Sequence, residues 1–287
     1  MRTRIEEKSN YKAIFSDGMT MRFPIDRDKP ITELEYPEFY DIGINTICKA
    51  GCPWCYTSAK QNGINFNNVV QKIHRFFGSM DENQKPYQVA IGGSGEPTLH
   101  PDFIKVLEAF HLLDIVPNYT TNGMHLTDEI IAATKEYCGG VALSCHPHIT
   151  KVWKDAANKL IENHIITNFH IIISDKESID MLDSIYKEYK GGVDYFVLLP
   201  YMQVGRGAIE KKEIDHQYLE FWMRMQDDKE DLAFGANFHG WLTGHAEYGV
   251  SLYPPESMSK YLLLDDELSI YNNSFEMKKL DILTKHK

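Results

Sequence analysis

The sequence predicts an α/β fold: an open partial (β/α)6 TIM-like barrel with small β-rich N- and C-terminal extensions. Strand-like and helix-like segments alternate six times between Glu38 and Met225, which implies a parallel sheet with helices packed outside it. Right-handed crossovers curl such a sheet toward a barrel; full closure takes about eight units, so six leave it open. The polar and glycine-rich stretches fall where strands end, the rim that carries chemistry in parallel α/β folds.

The elements follow in order. "KAIFSDGMTMRF" (Lys12–Phe23) reads as a hairpin around Asp17-Gly18. "EFYDIGIN" (Glu38–Asn45) is the first barrel strand and runs into a cysteine-rich loop. Phe66, Val69, Val70, Ile73, Phe76 and Phe77 recur at helical spacing. "YQVAIGG" is strand two, and Phe103, Val106, Leu107 and Phe110 mark a helix that Pro101-Asp102 opens. "PNYTTNG" is strand three, and "TDEIIAATKEY" is a helix with Thr127 as its N-cap. "GVALSCH" and the helix of Val152, Trp153, Ala156, Leu160 and Ile161 form unit four. "TNFHIIIS" with "ESIDMLDSIYKEY" is unit five, and "DYFVLLP" with Tyr218, Phe221, Trp222 and Met225 is unit six. "SKYLLLDDELSIYNNSF" (Ser259–Phe275) reads as a second hairpin, turning near Asp265-Asp266. The expected division is 1–36 for the N-terminal extension, 37–230 for the barrel and 231–287 for the C-terminal extension. Both extensions are expected to cover an edge or an end of the barrel.

The 287 residues are ample for a sizeable core, and 43% hydrophobic with 25% charged residues is ordinary for a globular protein. There is no run of about eighteen apolar residues and no signal-like N-terminus, so neither a membrane span nor export is expected, and the chain is placed in the cytoplasm. The net charge of −11 disfavours duplex nucleic acid as a partner. Five cysteines in a reducing compartment point to metal or catalysis rather than disulfides.

Cys48, Cys52 and Cys55 lie in one stretch, "CKAGCPWCY". A structural zinc ion closes its shell with protein ligands. Three cysteines on one loop either await a distant His or leave one corner of an iron–sulfur cube without protein. Gly51 and Pro53 let a short loop fold around a cluster, and Trp54 and Tyr56 shield it from water.

The spacing C-x3-C-x2-C at the end of a first strand resembles the radical S-adenosylmethionine (SAM) superfamily. "GGSGEPTLHPDF" (Gly92–Phe103) resembles its glycine-rich motif, and "TTNG" (Thr120–Gly123) fits as well. The resemblance runs from Pro37 to Gly207. It implies one [4Fe–4S] cluster on Cys48, Cys52 and Cys55, with SAM chelating the open iron. Reductive cleavage then gives a 5′-deoxyadenosyl radical that abstracts hydrogen from a substrate. It further implies that Gly92, Gly93 and Gly95 let the backbone approach the methionyl group, since glycine lacks Cβ. Glu96 either faces the methionyl ammonium or orients its loop. Tyr56, Thr121 and Asn122 join the cofactor set, and Ser144 contacts the methionyl carboxylate or ribose. His146 stands where many relatives carry Asp, which makes it a candidate for substrate binding or acid–base work, and Arg206 faces cofactor or substrate.

Each position also has a plainer role. "GGSGEP" alone is a turn after a buried strand, and Ser144 a strand-end hydroxyl. His146-Pro147-His148 is a solvated loop rather than a second metal site. Cys138 and Cys145 are structural thiols. "NFHGWLTGHAEYG" (Asn237–Gly249) is either a substrate cover or packing. The tail hairpin resembles a cysteine-less SPASM or twitch extension: no cysteine follows Cys145, so a single cluster is expected. The expected substrate is a peptide or protein side chain, as for a maturase. A nucleotide, RNA base or small metabolite is the alternative, and a noncatalytic iron–sulfur or zinc module the remote one. The expected reductant is a flavodoxin or ferredoxin.

Overall fold

The computed structural model describes residues 1–16, 18–210, 212–226, 231–234 and 258–275. The N-terminus forms three antiparallel strands, β1 (Arg2–Glu6), β2 (Tyr11–Ser16) and β3 (Met19–Pro24). The sequence showed only the second and third. β1 hides because Arg4 occupies an inward position where alternation demands an apolar residue. Arg4 is only 1% exposed. Its guanidinium is satisfied by Glu6 and by the carbonyls of Tyr36 and Pro37, as a buried charge requires.

Six strand–helix units follow. They are β4 (Phe39–Gly43) with α1 (Val69–Phe77), β5 (Gln88–Ile91) with α2 (Phe103–Leu112), and β6 (Val116–Thr121) with α3 (Asp128–Tyr137). Then come β7 (Gly140–Ser144) with α4 (Thr150–Glu162), β8 (Thr167–Ile173) with α5 (Lys176–Tyr189), and β9 (Tyr195–Pro200) with α6 (His216–Arg224). All neighbours from β4 to β9 pair in parallel, as the alternation predicts for an open partial barrel. The sheet is wider than six strands. β10 (Leu232–Phe234) adds in parallel beside β9. β11 (Ser259–Leu263) adds in parallel beside β4, and β12 (Ile270–Tyr271) pairs back on β11. The tail hairpin is therefore part of the barrel sheet. Asn237–Gly249, and Asp17 in the first hairpin's turn, lie outside the described residues.

The strands alternate between a helix-facing and an inward-facing side. In β8, Phe169, Ile171 and Ile173 are fully buried under the helices, while His170 and Ile172 face the barrel interior. Each such buried Phe or Ile stabilises by about 1.5–3 kcal/mol. Helix starts follow the capping chemistry: Thr127 accepts from the Ile130 amide, Asp175 from Ser178 and Asp215 from Tyr218. Phe66 lies outside α1 despite its spacing. Asn68 adopts left-handed backbone at φ 56°, through which a helix does not continue.

The N-terminal sheet closes the floor. Tyr11, Ala13 and Phe15 pack with Leu34, Tyr87 and Met258, and the last two precede β5 and β11. Phe15 stacks on Tyr87 with centroids 5.1 Å apart. Glu38 gathers Tyr11 and Arg22 at the same junction. The opposite end, where the strands stop, is left for the site.

Candidate active site

β4 delivers the chain into the cysteine loop, and that loop is tied at both ends. The Thr46 amide donates to Ile64 O at 2.8 Å, and Cys48 N donates to Lys60 O at 2.9 Å. From across the barrel, the turn after β9 presses on the loop. Gly205 has φ +58°, and a Cβ there would fall 2.2 Å from Tyr56 O. Arg206 N donates to Cys55 O at 2.9 Å. Its guanidinium donates to Cys52 O at 2.8 Å and Ala59 O at 2.7 Å.

This corrects the expectation for Arg206. Its side chain is directed to carbonyls of the cysteine loop and does not line the cavity, so it is a positioning residue rather than a catalytic one. Arg206→Met is expected to remove two charge-assisted hydrogen bonds, about 2–4 kcal/mol together. Reconstituted Arg206→Met should then keep less than about half the iron of wild type after desalting, with a melting temperature lower by about 5–10 °C. Unchanged iron and melting would refute the clamp.

Cys52 is 7% exposed, and Cys48 and Cys55 are half-buried. Burial pushes the Cys52 thiol up to about 12, helped by Cys48 and Cys55 beside it. Burial likewise raises Cys48, against the Ala50 amide that favours its thiolate. Bare thiolates are disfavoured in this loop, and a cationic iron centre is what would stabilise them. The Asn122 side-chain amide lies 3.5 Å from Cys48 Sγ, and Thr57 Oγ1 3.4 Å from Cys55 Sγ, contacts of the kind that tune a ligating sulfur. The buried Trp54 indole N–H has no partner among the described residues, a donor left over for what the loop encloses. No His, Cys, Asp and Glu group of three or more among the described residues is arranged for a single metal ion. A cube does not need that arrangement, because it spreads its thiolates over separate irons. The residues fit the cluster.

The glycine turn docks directly on this loop. Glu96 N donates to Ile47 O at 2.7 Å, Asn45 Nδ2 to Glu96 O at 2.8 Å, and Thr57 Oγ1 to Ser94 O at 3.3 Å. Gly93 needs its glycine for a backbone φ of +79°. Gly92, Gly93 and Gly95 all line the cavity. Gly95 meets a second demand as well. A Cβ there would fall 2.2 Å from Asn45 Oδ1 and 2.7 Å from Ile47 O, so its glycine also serves the packing of loop against loop.

Glu96 had two possible roles, and its hydrogen bonds favour the second. Oε1 accepts from Thr98 Oγ1 and Thr121 Oγ1, both at 2.7 Å, and Oε2 from the Asn122 amide at 2.8 Å. The carboxyl, 3% exposed, fastens "GGSGEP" to "TTNG". Burial raises its pKa against these donors. Thr121 is thus bound to Glu96, while Asn122 spans from Glu96 to Cys48.

All of these loops surround one cavity of about 370 Å³. Cys48, Cys52, Cys55 and Gly92 line it from one side, and Ser144 and His146 from another. Tyr56 lines it too, its ring 4.6 Å from that of Phe275 and its hydroxyl accepting from Ser274 at 3.4 Å. His146 lies beyond the end of β7. Its ring is 5.7 Å from both Trp54 and His148, and burial lowers its pKa to about 4, with His148 and His170 adding. A neutral imidazole suits hydrogen bonding better than proton transfer near neutral pH. His148 Nε2 donates to Ala50 O of the cysteine loop at 3.0 Å. A more open depression of about 720 Å³ along α4, lined by Lys151, Lys154 and Glu188, gathers none of the motif residues.

Among the cavity residues that the sequence analysis did not single out are Asp41 on β4 and His170 on β8. The available signal was a titratable residue at an inward position of an otherwise apolar strand. Burial brings His170 to about 4 and Asp41 up to about 7 from an ordinary 3.8. Because the folded-state value is raised, the Asp41 contribution to stability is fully present below 3.8 and is lost as pH rises through about 7. The upper bound is about 4 kcal/mol, reduced to about 2 by water in the cavity. Urea denaturation at about pH 5 and pH 8 should show wild type losing that stability and Asp41→Asn keeping it. Parallel pH profiles would refute it.

Three thiols beside a glycine turn, on the strand-end rim of a parallel barrel, define a cofactor-binding α/β barrel. Residues 42–150 match the family model of the Radical SAM superfamily. Among solved structures, SuiB of Streptococcus suis bound to precursor peptide SuiA is similar over 85% of this chain and 61% of its own, at 16% identity and TM-score 0.65. The chain thus spans about three-fifths of SuiB. The enzyme anSMEcpe with bound AdoMet and a peptide is similar over 83% of this chain and 74% of its own, at 13% identity and TM-score 0.59. With bound AdoMet alone the values are 86%, 79%, 15% and 0.61. At these identities the likeness shows the fold. Comparison with curated proteins returns no significant match. Among the described residues no helix is long and apolar enough to cross a membrane.

Proposed function

We propose that this protein is a radical SAM enzyme that cleaves S-adenosylmethionine reductively at one [4Fe–4S] cluster and acts on a peptide or protein side chain. The observation that carries the proposal is the convergence of Cys48, Cys52 and Cys55 with Gly92 and Gly93 on one cavity. When bound, the cluster and SAM would supply a 5′-deoxyadenosyl radical for hydrogen abstraction. The chain's own residues do the positioning. Arg206 and the Glu96 hydrogen bonds hold the two cofactor loops together. Asn122 offers an N–H to Cys48. Ser144 and neutral His146 offer hydrogen bonds inside the cavity. Ile172, Leu199 and Phe275 line it with apolar surface, which keeps water from a reactive centre.

The peptide reading is supported by the two peptide-bound neighbours of like fold. The electron donor in this reading is a flavodoxin or ferredoxin. Anaerobic reconstitution followed by dithionite should release 5′-deoxyadenosine only when reductant, iron and SAM are all present. One zinc per chain and no release would identify a noncatalytic module instead. Turnover stimulated by a nucleotide but by no peptide would move the substrate class.

A further inference from the structure

Among the described residues the cavity is lined by two carboxyl groups and by no lysine or arginine. Glu96 is fully engaged by Thr98, Thr121 and Asn122. Asp41 makes no hydrogen bond or ion pair with any of the described residues. On one side the register places Ala90, too small and apolar to answer it. On the other it places Tyr261, whose hydroxyl engages Ser94. The Tyr56 and Tyr261 hydroxyls lie close enough to Asp41 to feel its charge, but neither donates to it among the described residues. An unpaired carboxyl against apolar surface is costly, and such a group in a cleft points to a ligand that completes it.

The surroundings state the chemistry of that ligand. Tyr56 and Phe275 bring aromatic rings to the same cavity, and ring faces attract cations. The Arg206 guanidinium, which braces the cysteine loop from outside the cavity, is committed to Cys52 O and Ala59 O. Depth separates Asp41 from the glycine turn: its register partner Ala90 precedes Gly92 by two residues along β5. Resting on the function proposed above, we propose that Asp41 is the specificity-determining carboxyl of this cavity and receives a protonated amine or guanidinium on the substrate, the side chain of a lysine or arginine residue.

The test uses reconstituted holoprotein under anaerobic conditions, wild type against Asp41→Asn and Asp41→Glu. The probes are n-butylamine, with 1-butanol as its neutral match, and SAM. Binding is read by NMR saturation transfer at about pH 8.5, where Asp41 is ionised. Wild type and Asp41→Glu should prefer butylammonium over butanol by about tenfold, and Asp41→Asn should lose that preference. Iron content and SAM affinity should stay within about twofold of wild type in both variants. Equal butylammonium binding in wild type and Asp41→Asn would overturn the proposal. So would a large loss of SAM affinity in Asp41→Asn, which would assign Asp41 to the cofactor. Amine binding is read without turnover, so a wild-type protein that prefers the amine yet never cleaves SAM would sink the functional proposal alone.

Discussion

Cys52→Ala is expected to abolish reductive SAM cleavage, a fall of at least about a thousandfold, equivalent to about 4 kcal/mol or more. Cys52 is the most buried of the three loop thiols. Its carbonyl also receives the Arg206 guanidinium and the Cys55 amide, so the loop is built around it. With alanine there, only two of the three thiolates that would hold a cluster remain. Iron after desalting should fall with activity. The controls are the other two cysteines. Cys145 is 1% exposed, with its Sγ 3.6 Å from Leu143 O, and Cys138 packs against the core at the end of α3. Burial raises both thiols. Neither lines the cavity. Cys145→Ser and Cys138→Ala should therefore retain wild-type iron, and retained cleavage in Cys52→Ala would remove the foundation of the site.

Glu96→Ala is the second large effect. It strands the Thr98 and Thr121 hydroxyls and the Asn122 amide, all at buried positions. Each unsatisfied group costs about 1–3 kcal/mol, and the new void adds to this. A loss of about 3–5 kcal/mol and a melting temperature lower by about 10 °C or more follow. Glu96→Gln separates the two roles of this carboxyl. Its amide oxygen still accepts from both threonines, so stability should fall by only about 1–2 kcal/mol, and SAM affinity should stay within about threefold if Glu96 acts by holding the loops. A hundredfold loss of SAM affinity in Glu96→Gln, with the melting temperature preserved, would restore the direct charge role.

Much of this arrangement is legible because its causes are local. Six units show in the sequence because each strand is a short apolar run and each helix has one apolar face. The cysteine loop shows because its residue types are rare and clustered. What escapes is set by distant partners. β1 is disguised by Arg4, whose charge is answered by Glu6 and by backbone at Tyr36 and Pro37. Arg206 reads as a cavity residue until the turn after β9 is seen to lie against the cysteine loop. Gly95 reads as a cavity glycine alone until Asn45 and Ile47 are seen to occupy the space of its Cβ as well. β11 joins the barrel beside β4 although more than two hundred residues separate them, and no local pattern encodes that pairing. Asp41 and His170 stand in plain view, yet only the closed arrangement of strands shows that they share one cavity.

The central claim is that Cys48, Cys52 and Cys55 hold a cluster whose remaining corner is open to SAM. The most direct measurement is electron–nuclear double resonance on the reduced, reconstituted protein, with SAM labelled with nitrogen-15 at its amino group. Direct coupling between that nitrogen and the cluster spin, absent when SAM is omitted, is the expected result. A reduced cluster with no such coupling in the presence of saturating SAM would mean that the corner is closed, and would contradict the account.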